Sequence, residues 1–367
     1  MEAAPINPSD LAILTCMADL ESAEYSPGKF VADMPEPFNS AQKARHGQRL
    51  PAGNEGAGTV VAAGENEFAQ SLVGQRVACV PGNAYAEYCL ADAAMCLPLG
   101  DISAVDGASA FVNPMTALGF VETARMEGES AIIHTAAASN LGQMLVRICQ
   151  EDGIPLVNIV RKAEHVNLLS ELGAEHIVNS SDDDFFHQLR SAIEATDAYC
   201  GFDPIGGGQM VDNCFKAMEQ VAAKKMTGYS RYGSDQSKKM YIYGRLDFSP
   251  TVLTPAYGFG WTLSGWLLTP FLQKAGLETW LAVEDQAAPT LPENLMGSQK
   301  LVFLNGQWQR DAGGVQDLPA GVVCRPLPAD ELVEGFGSLT DKVDSPFTAM
   351  ASVIPVHRAC TSYHVSD

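Results

Sequence analysis

Residues Ala136-Ala-Ala-Ser-Asn-Leu-Gly142 are small side chains running into a helical periodicity carried by Leu141, Leu145, Val146 and Ile148. With the apolar run Ala131–Ile133 before them, they form a strand, a tight turn and a helix start, a combination suited to phosphate. Small side chains let a pyrophosphate approach the backbone, and the helix N-terminus adds partial positive charge. The Gly-x-Gly-x-x-Gly pattern is incomplete: Gly142 alone stands in a glycine slot. The same turn also occurs in α/β proteins that bind nothing there. The candidate phosphate contacts are Ala136, Ser139, Asn140, Leu141 and Gly142. About 20 residues further on, Arg161-Lys162 follows the next apolar run, Leu156–Val160. An acid at that position would take the ribose hydroxyls of NAD, whereas the planar fork of Arg161 can grip a 2′-phosphate. Ser180 and Ser181 would add hydroxyls, so the expected cofactor is NADPH. The alternative for Arg161 and Lys162 is a pair of solvated loop charges.

The elements needed to position these residues are legible around them. A helix over Ala163–Leu172, a strand His176–Asn179, a helix Asp183–Ala195 and a strand Ala198–Asp203 follow. Gly206-Gly207-Gly208 opens a further helix, and Met240–Tyr243, stopped by Gly244, reads as the last strand. This alternation predicts a doubly wound parallel, Rossmann-type sheet with ligands at the carboxyl ends of its strands. Asp203, Tyr243 and Gly244 stand at such ends and join the cofactor-shell candidates. Before residue 112, short strands punctuated by Gly, Pro and Asn predict a separate β-rich domain.

A net charge of −21 excludes a nucleic-acid footprint, which needs a basic face. Nine cysteines without a C-x-x-C pair read as reduced thiols of a cytoplasmic protein. The uncharged stretch Phe248–Gln273 is long enough to weigh as a membrane helix, but Pro250, Pro255 and Pro270 break it, so no membrane span is expected. Its aromatic part, Tyr257–Leu268, is the expected core of a homodimer interface; covering the core of its own chain is the alternative.

An ordered set of motifs covers roughly residues 1 to 275: Asn7-Pro-Ser-Asp10, Gly53-Asn-Glu-Gly56, Val73-Gly-Gln-Arg-Val77, Tyr85-Ala-Glu-Tyr88, Asn113-Pro-Met-Thr-Ala117, the Ala136–Gly142 loop, Leu172-Gly-Ala-Glu-His176 and Asp203-Pro-Ile-Gly-Gly207. In this order they resemble the medium-chain dehydrogenase/reductase superfamily, in its zinc-free branch of quinone oxidoreductases and enoyl-thioester reductases. The resemblance implies a GroES-like catalytic domain, incomplete at its N-terminus, over 1–112. It places the dinucleotide-binding domain over 113–260 and a return segment to the catalytic domain over 261–283, and leaves 284–367 unassigned.

Zinc-dependent relatives carry Cys and His where this chain has Asn7 and Asn54, so no metal is expected. The resemblance implies that Asn7 and Thr116 hold the nicotinamide ring. Read without it, Asn7 is a turn residue before Pro8 and Thr116 a helix hydroxyl. Tyr25, in the loop where enoyl-thioester reductases keep a proton-donating tyrosine, is the candidate donor; His46 is weaker. The implied activity is zinc-independent, NADPH-dependent reduction of quinones or α,β-unsaturated carbonyls. A trans-2-enoyl-thioester reductase, with Lys43, Arg45 and Arg49 as a rim for a coenzyme A phosphate, is the alternative. A truncated cofactor-binding protein without turnover is the third reading.

Overall fold

The computed structural model describes residues 1–15, 17–26, 29–48, 50–275, 301–304, 307–310 and 351–355, with the side chains of 11–13, 25, 26, 29, 30 and the last three segments excepted. The chain divides into two compact units, Met1–Val112 with Leu291–Asp367, and Asn113–Thr290.

In the second unit, six strands lie in the order His176–Asn179, Leu156–Val160, Ile132–Thr135, Cys200–Asp203, Lys238–Ile242, Trp261–Gly265. All neighbouring pairs run parallel. In chain order this is 3-2-1-4-5-6, the dinucleotide-binding order, with its reversal point between Ile132–Thr135 and Cys200–Asp203. Alternation along the strands assigns the faces. Ile133, Val157, Ile159 and Val178 pack with Leu189, Ile193, Val211, Phe215 and Met218 of the helices Phe185–Thr196 and Met210–Lys224. On the opposite face Phe120, from the helix Val112–Met126, stacks on Phe202 with ring centroids 4.1 Å apart.

Two expectations are corrected here. Lys238–Ile242 is not the last strand, and 261–283 does not open as a return segment, because Trp261–Gly265 pairs with Lys238–Ile242 as the sixth strand. Within the aromatic stretch, Tyr257 and Trp266 pack inside their own unit. Tyr257 is fully buried against Phe215 and Trp261, and Trp266 donates its indole N–H to Thr123 at 2.9 Å. No helix among the described residues is long and apolar enough to cross a membrane.

The first unit is β-rich. An antiparallel sheet runs Gln307–Arg310, Leu301–Leu304, Ala3–Pro5, Gly56–Thr59, Arg76–Cys79, Cys96–Pro98, and a smaller one runs Ala62–Ala63, Ala351–Pro355, Tyr88–Asp92. Strands from the unassigned region 284–367 therefore belong to this unit; the remainder of that region lies outside the described residues. The core gathers Val77, Cys79, Tyr85, Cys89 and Cys96.

Candidate active site

The phosphate-loop candidates sit at the reversal point of the parallel sheet. The chain leaves Ile132–Thr135 through Ala136, whose φ of 53° lies in the left-handed region that a glycine would occupy more cheaply. Ser139 caps the helix Asn140–Glu151, its hydroxyl accepting from the Gly142 N–H at 3.2 Å. The first-turn amides, at Asn140 and Leu141, lie where a helix has no acceptors of its own to offer. Gly142 must be glycine: a Cβ there would lie 2.2 Å from the carbonyl oxygen of Ala137. Helix and loop are thus pressed together, as close approach to a pyrophosphate requires, and the residues present fit a dinucleotide.

Asp203, across the reversal point, holds this region together from inside. It is fully buried, accepts from the Thr135 hydroxyl, and takes the Gly206 and Ile205 N–H groups at 2.8 and 3.3 Å. Burial raises its carboxyl above the ordinary range and these donors oppose the rise. It thereby ties the two loops together from within. Gly244 is similar: a Cβ there would lie 2.8 Å from the Pro204 carbonyl oxygen, so its space goes to that loop.

Tyr243 points its phenol at His134 Nε2, 2.7 Å away, within an aromatic group that includes Phe120 and Trp266. His134 is fully buried, and burial lowers its imidazole to about 3, so it is neutral. The motifs do not single out His134. The signal that could have is period-two alternation, which puts it on the same face as Ile132, a polar group in a buried strand.

At the outer edge, Arg161 and Lys162 are exposed directly after the strand Leu156–Val160. The Ser181 hydroxyl donates to the Arg161 carbonyl oxygen at 2.7 Å, and the Ser180 N–H donates to the Val160 carbonyl oxygen at 2.7 Å. The two strand ends are therefore stitched together, with Arg161, Ser180 and Ser181 adjacent. Lys162 is drawn to Glu164, 3.0 Å away.

Thr116 is buried on the helix Val112–Met126 of the second unit. Asn7 and Tyr25 belong to the first. Tyr25 lies in a short hairpin, Glu24–Ser26 against Lys29–Val31, and its side chain lies outside the described residues. Arg49 also lies outside them, whereas Lys43 and Arg45 form a 3₁₀ turn.

Asn7 begins the helix Pro8–Thr15, with Pro8 at its first position. Asp10, 1% exposed, reaches back to the Asn7 N–H at 2.8 Å and also takes the Asn54 N–H at 2.8 Å. The first of these bonds is one half of a capping box. The Asn7 side chain reaches away from the helix: its Nδ2 donates to Glu55 Oε1 at 2.9 Å. Asn54 Nδ2 donates to Ser9 Oγ at 2.9 Å. An asparagine amide is a poor substitute for the thiolate and imidazole ligands that zinc takes at these two positions in zinc-dependent relatives. Among the described residues, no group of three or more His, Cys, Asp or Glu is disposed to hold a metal ion.

No family model matches the chain. It is 28% identical over 192 residues to the mitochondrial enoyl-[acyl-carrier-protein] reductase of Homo sapiens, a match covering 50% of this chain and 44% of that protein. It is 27% identical over 161 residues to prostaglandin reductase-3 of Bos taurus, covering 42% and 38%. The chain thus spans less than half the length of these curated relatives. A solved structure described as an NADPH:quinone reductase, from Mesorhizobium loti, superposes with a TM-score of 0.60 at 28% identity, over 80% of this chain and 75% of that one. A mutant enoyl thioester reductase from Candida tropicalis shares the fold, with a TM-score of 0.53 at 17% identity over 96% and 89%.

Proposed function

We propose, from the premise that this chain is a medium-chain dehydrogenase/reductase related to quinone reductases and enoyl-thioester reductases, that it is a zinc-independent, NADPH-dependent reductase of quinones or α,β-unsaturated carbonyls. The observation that carries the reading is the loop Ala136–Gly142, pressed against the helix Asn140–Glu151 at the reversal point of a sheet in dinucleotide-binding order. When bound, NADPH supplies the hydride. The family resemblance would assign Thr116 and Asn7 to hold the nicotinamide ring, and negative charge would gather on the substrate's carbonyl oxygen as it is reduced. A quinone takes its proton from water; an enoyl substrate needs a donor, for which Tyr25 is the candidate. The test is a panel of small quinones, enones and crotonyl-thioester, followed by loss of NADPH fluorescence. Consumption with a quinone or enone supports the reading, whereas preference for the thioester favours the second one. Binding of NADPH without consumption across the panel would leave a cofactor-binding protein without turnover.

The enoyl-thioester reading is favoured by the similarity to the human enoyl-[acyl-carrier-protein] reductase and by the basic turn Lys43–Arg45.

Cofactor choice follows from Arg161. One or two charge-assisted bonds to a 2′-phosphate, each about 1.5–3 kcal/mol, favour NADPH over NADH by at least about tenfold. Titration of both cofactors is expected to show that preference, and Arg161→Ala to lose most of it. Lys162→Ala alone has the smaller effect because Lys162 is already paired with Glu164. Equal affinity for the two cofactors in the parent protein rejects this assignment.

Homodimerisation is part of the same reading. Among the described residues Trp261–Gly265 is an edge strand, and Phe259 and Leu267 beside it are 81% and 66% exposed. Light scattering at micromolar concentration should give the mass of two chains; the mass of one refutes pairing.

A further inference from the structure

Glu55 has no part in the chemistry described so far, yet it is 1% exposed in the first unit. Its two oxygens are taken by different elements: Oε1 accepts from Asn7 Nδ2 at 2.9 Å, and Oε2 from the Val112 N–H at 2.8 Å. Burial pushes the carboxyl up to about 7 and nearby Asp10 adds to the rise, while N–H groups of Val112, Asn7 and Phe111 hold it back. Such donors are arranged for an acceptor.

This arrangement decides something a terminal amide cannot decide alone. The two ends of an asparagine side chain are nearly the same size, one an acceptor and the other a double donor. An acceptor facing the amide favours its NH2 end. The carbonyl end then points the opposite way, and the backbone of Asn7 is itself fastened by Asp10.

We propose that Glu55 is a positioning residue that sets the polarity of the Asn7 amide, so that Asn7 presents its carbonyl oxygen rather than its NH2 to the reacting molecule. This rests on the reading of Asn7 as a site residue. An oxygen there would accept from the carboxamide NH2 of a nicotinamide ring, whereas a flipped amide would set NH2 against NH2.

Glu55→Gln is the discriminating change. The new side chain can still accept the Val112 N–H through its oxygen, but its NH2 then faces Asn7 and requires the Asn7 amide to turn over. With selective ¹⁵N-asparagine labelling, the Asn7 side-chain amide, assigned by its disappearance in Asn7→Asp, is expected to exchange with solvent at least about tenfold faster in Glu55→Gln. The kcat for the fastest substrate of the panel is expected to fall about tenfold, with KM for NADPH little changed. The double variant Asn7→Asp/Glu55→Gln keeps both hydrogen bonds and the net charge, restores an oxygen on the presented side, and is expected to recover most of the lost kcat. It also keeps the test available if Glu55→Gln alone folds poorly, as read by thermal melting. Unchanged amide exchange in Glu55→Gln, or a double variant no faster than the single, overturns the proposal. If amide exchange responds as expected but Asn7→Ala turns over like the parent protein, the polarity assignment stands and the reading of Asn7 as a site residue fails.

Discussion

Gly142→Ala, a change of one methyl group, is expected to weaken NADPH binding by about a hundredfold and to lower stability by at least about 3 kcal/mol. The new Cβ would sit 2.2 Å from the Ala137 carbonyl oxygen and 2.6 Å from its carbon. Both are backbone atoms of the loop, so no side-chain rotation relieves the contact. The Ala137 N–H is in turn tied to the Ile159 carbonyl at 3.0 Å, in the next strand. The helix Asn140–Glu151 must therefore move away from the loop, taking its first-turn amides with it. Losing two charge-assisted bonds of about 1.5–3 kcal/mol each accounts for a hundredfold or more. Gly153 provides a control in the turn after the same helix. Its φ is +64° but nothing lies within 4 Å of a Cβ, so Gly153→Asn should cost little. Fluorescence titration and thermal unfolding of the two variants check this. Parent-like NADPH affinity in Gly142→Ala would mean that the loop does not hold the phosphates.

The second large effect is a pH dependence that differs between the units. His134 is buried without charge, its imidazole lowered from 6.5 to about 3. A depressed folded-state value means stability that is present above the unfolded value and lost as pH falls toward the folded one. At about 1.4 kcal/mol per tenfold in proton affinity, the second unit loses about 5 kcal/mol between pH 6.5 and 3. Glu55 acts with the opposite sign in the first unit. Its carboxyl is raised from 4.5 to about 7, so the stability it contributes is present below 4.5 and lost as pH rises through 7, about 3 kcal/mol in all. Hydrogen exchange followed from about pH 7.5 to about pH 5 should show amides of the strand Ile132–Thr135 losing protection while those of Gly56–Thr59 gain it. His134→Gln, which carries no titrating group, is expected to flatten the first trend while leaving the second. Parallel pH trends in the two strands, or an unaltered acid response in His134→Gln, would count against these assignments.

What the sequence determined by itself is what short-range pattern encodes. The periodicity after Leu141, the apolar runs and the spacing to Arg161 are local, and they suffice for the parallel sheet, the helix N-terminus at its reversal point and the basic position at the outer edge. Trp261–Gly265 is not legible in this way. A long irregular connection, 243–260, precedes it, and an uncharged aromatic run looks the same whether it joins a sheet or covers a partner. Only pairing with Lys238–Ile242 distinguishes the two. The internal fastenings of the site are hidden from the sequence as well. Asn7 meets Glu55 across 48 residues, Thr135 meets Asp203 across 68, and His134 meets Tyr243 across 109. Each residue has an ordinary local role, as turn former, strand end or core aromatic. What makes them partners is exclusion from water: once a sheet or core closes over a carboxylate or imidazole, its hydrogen bonds must be found inside the protein, and which donor is near is decided by tertiary structure alone.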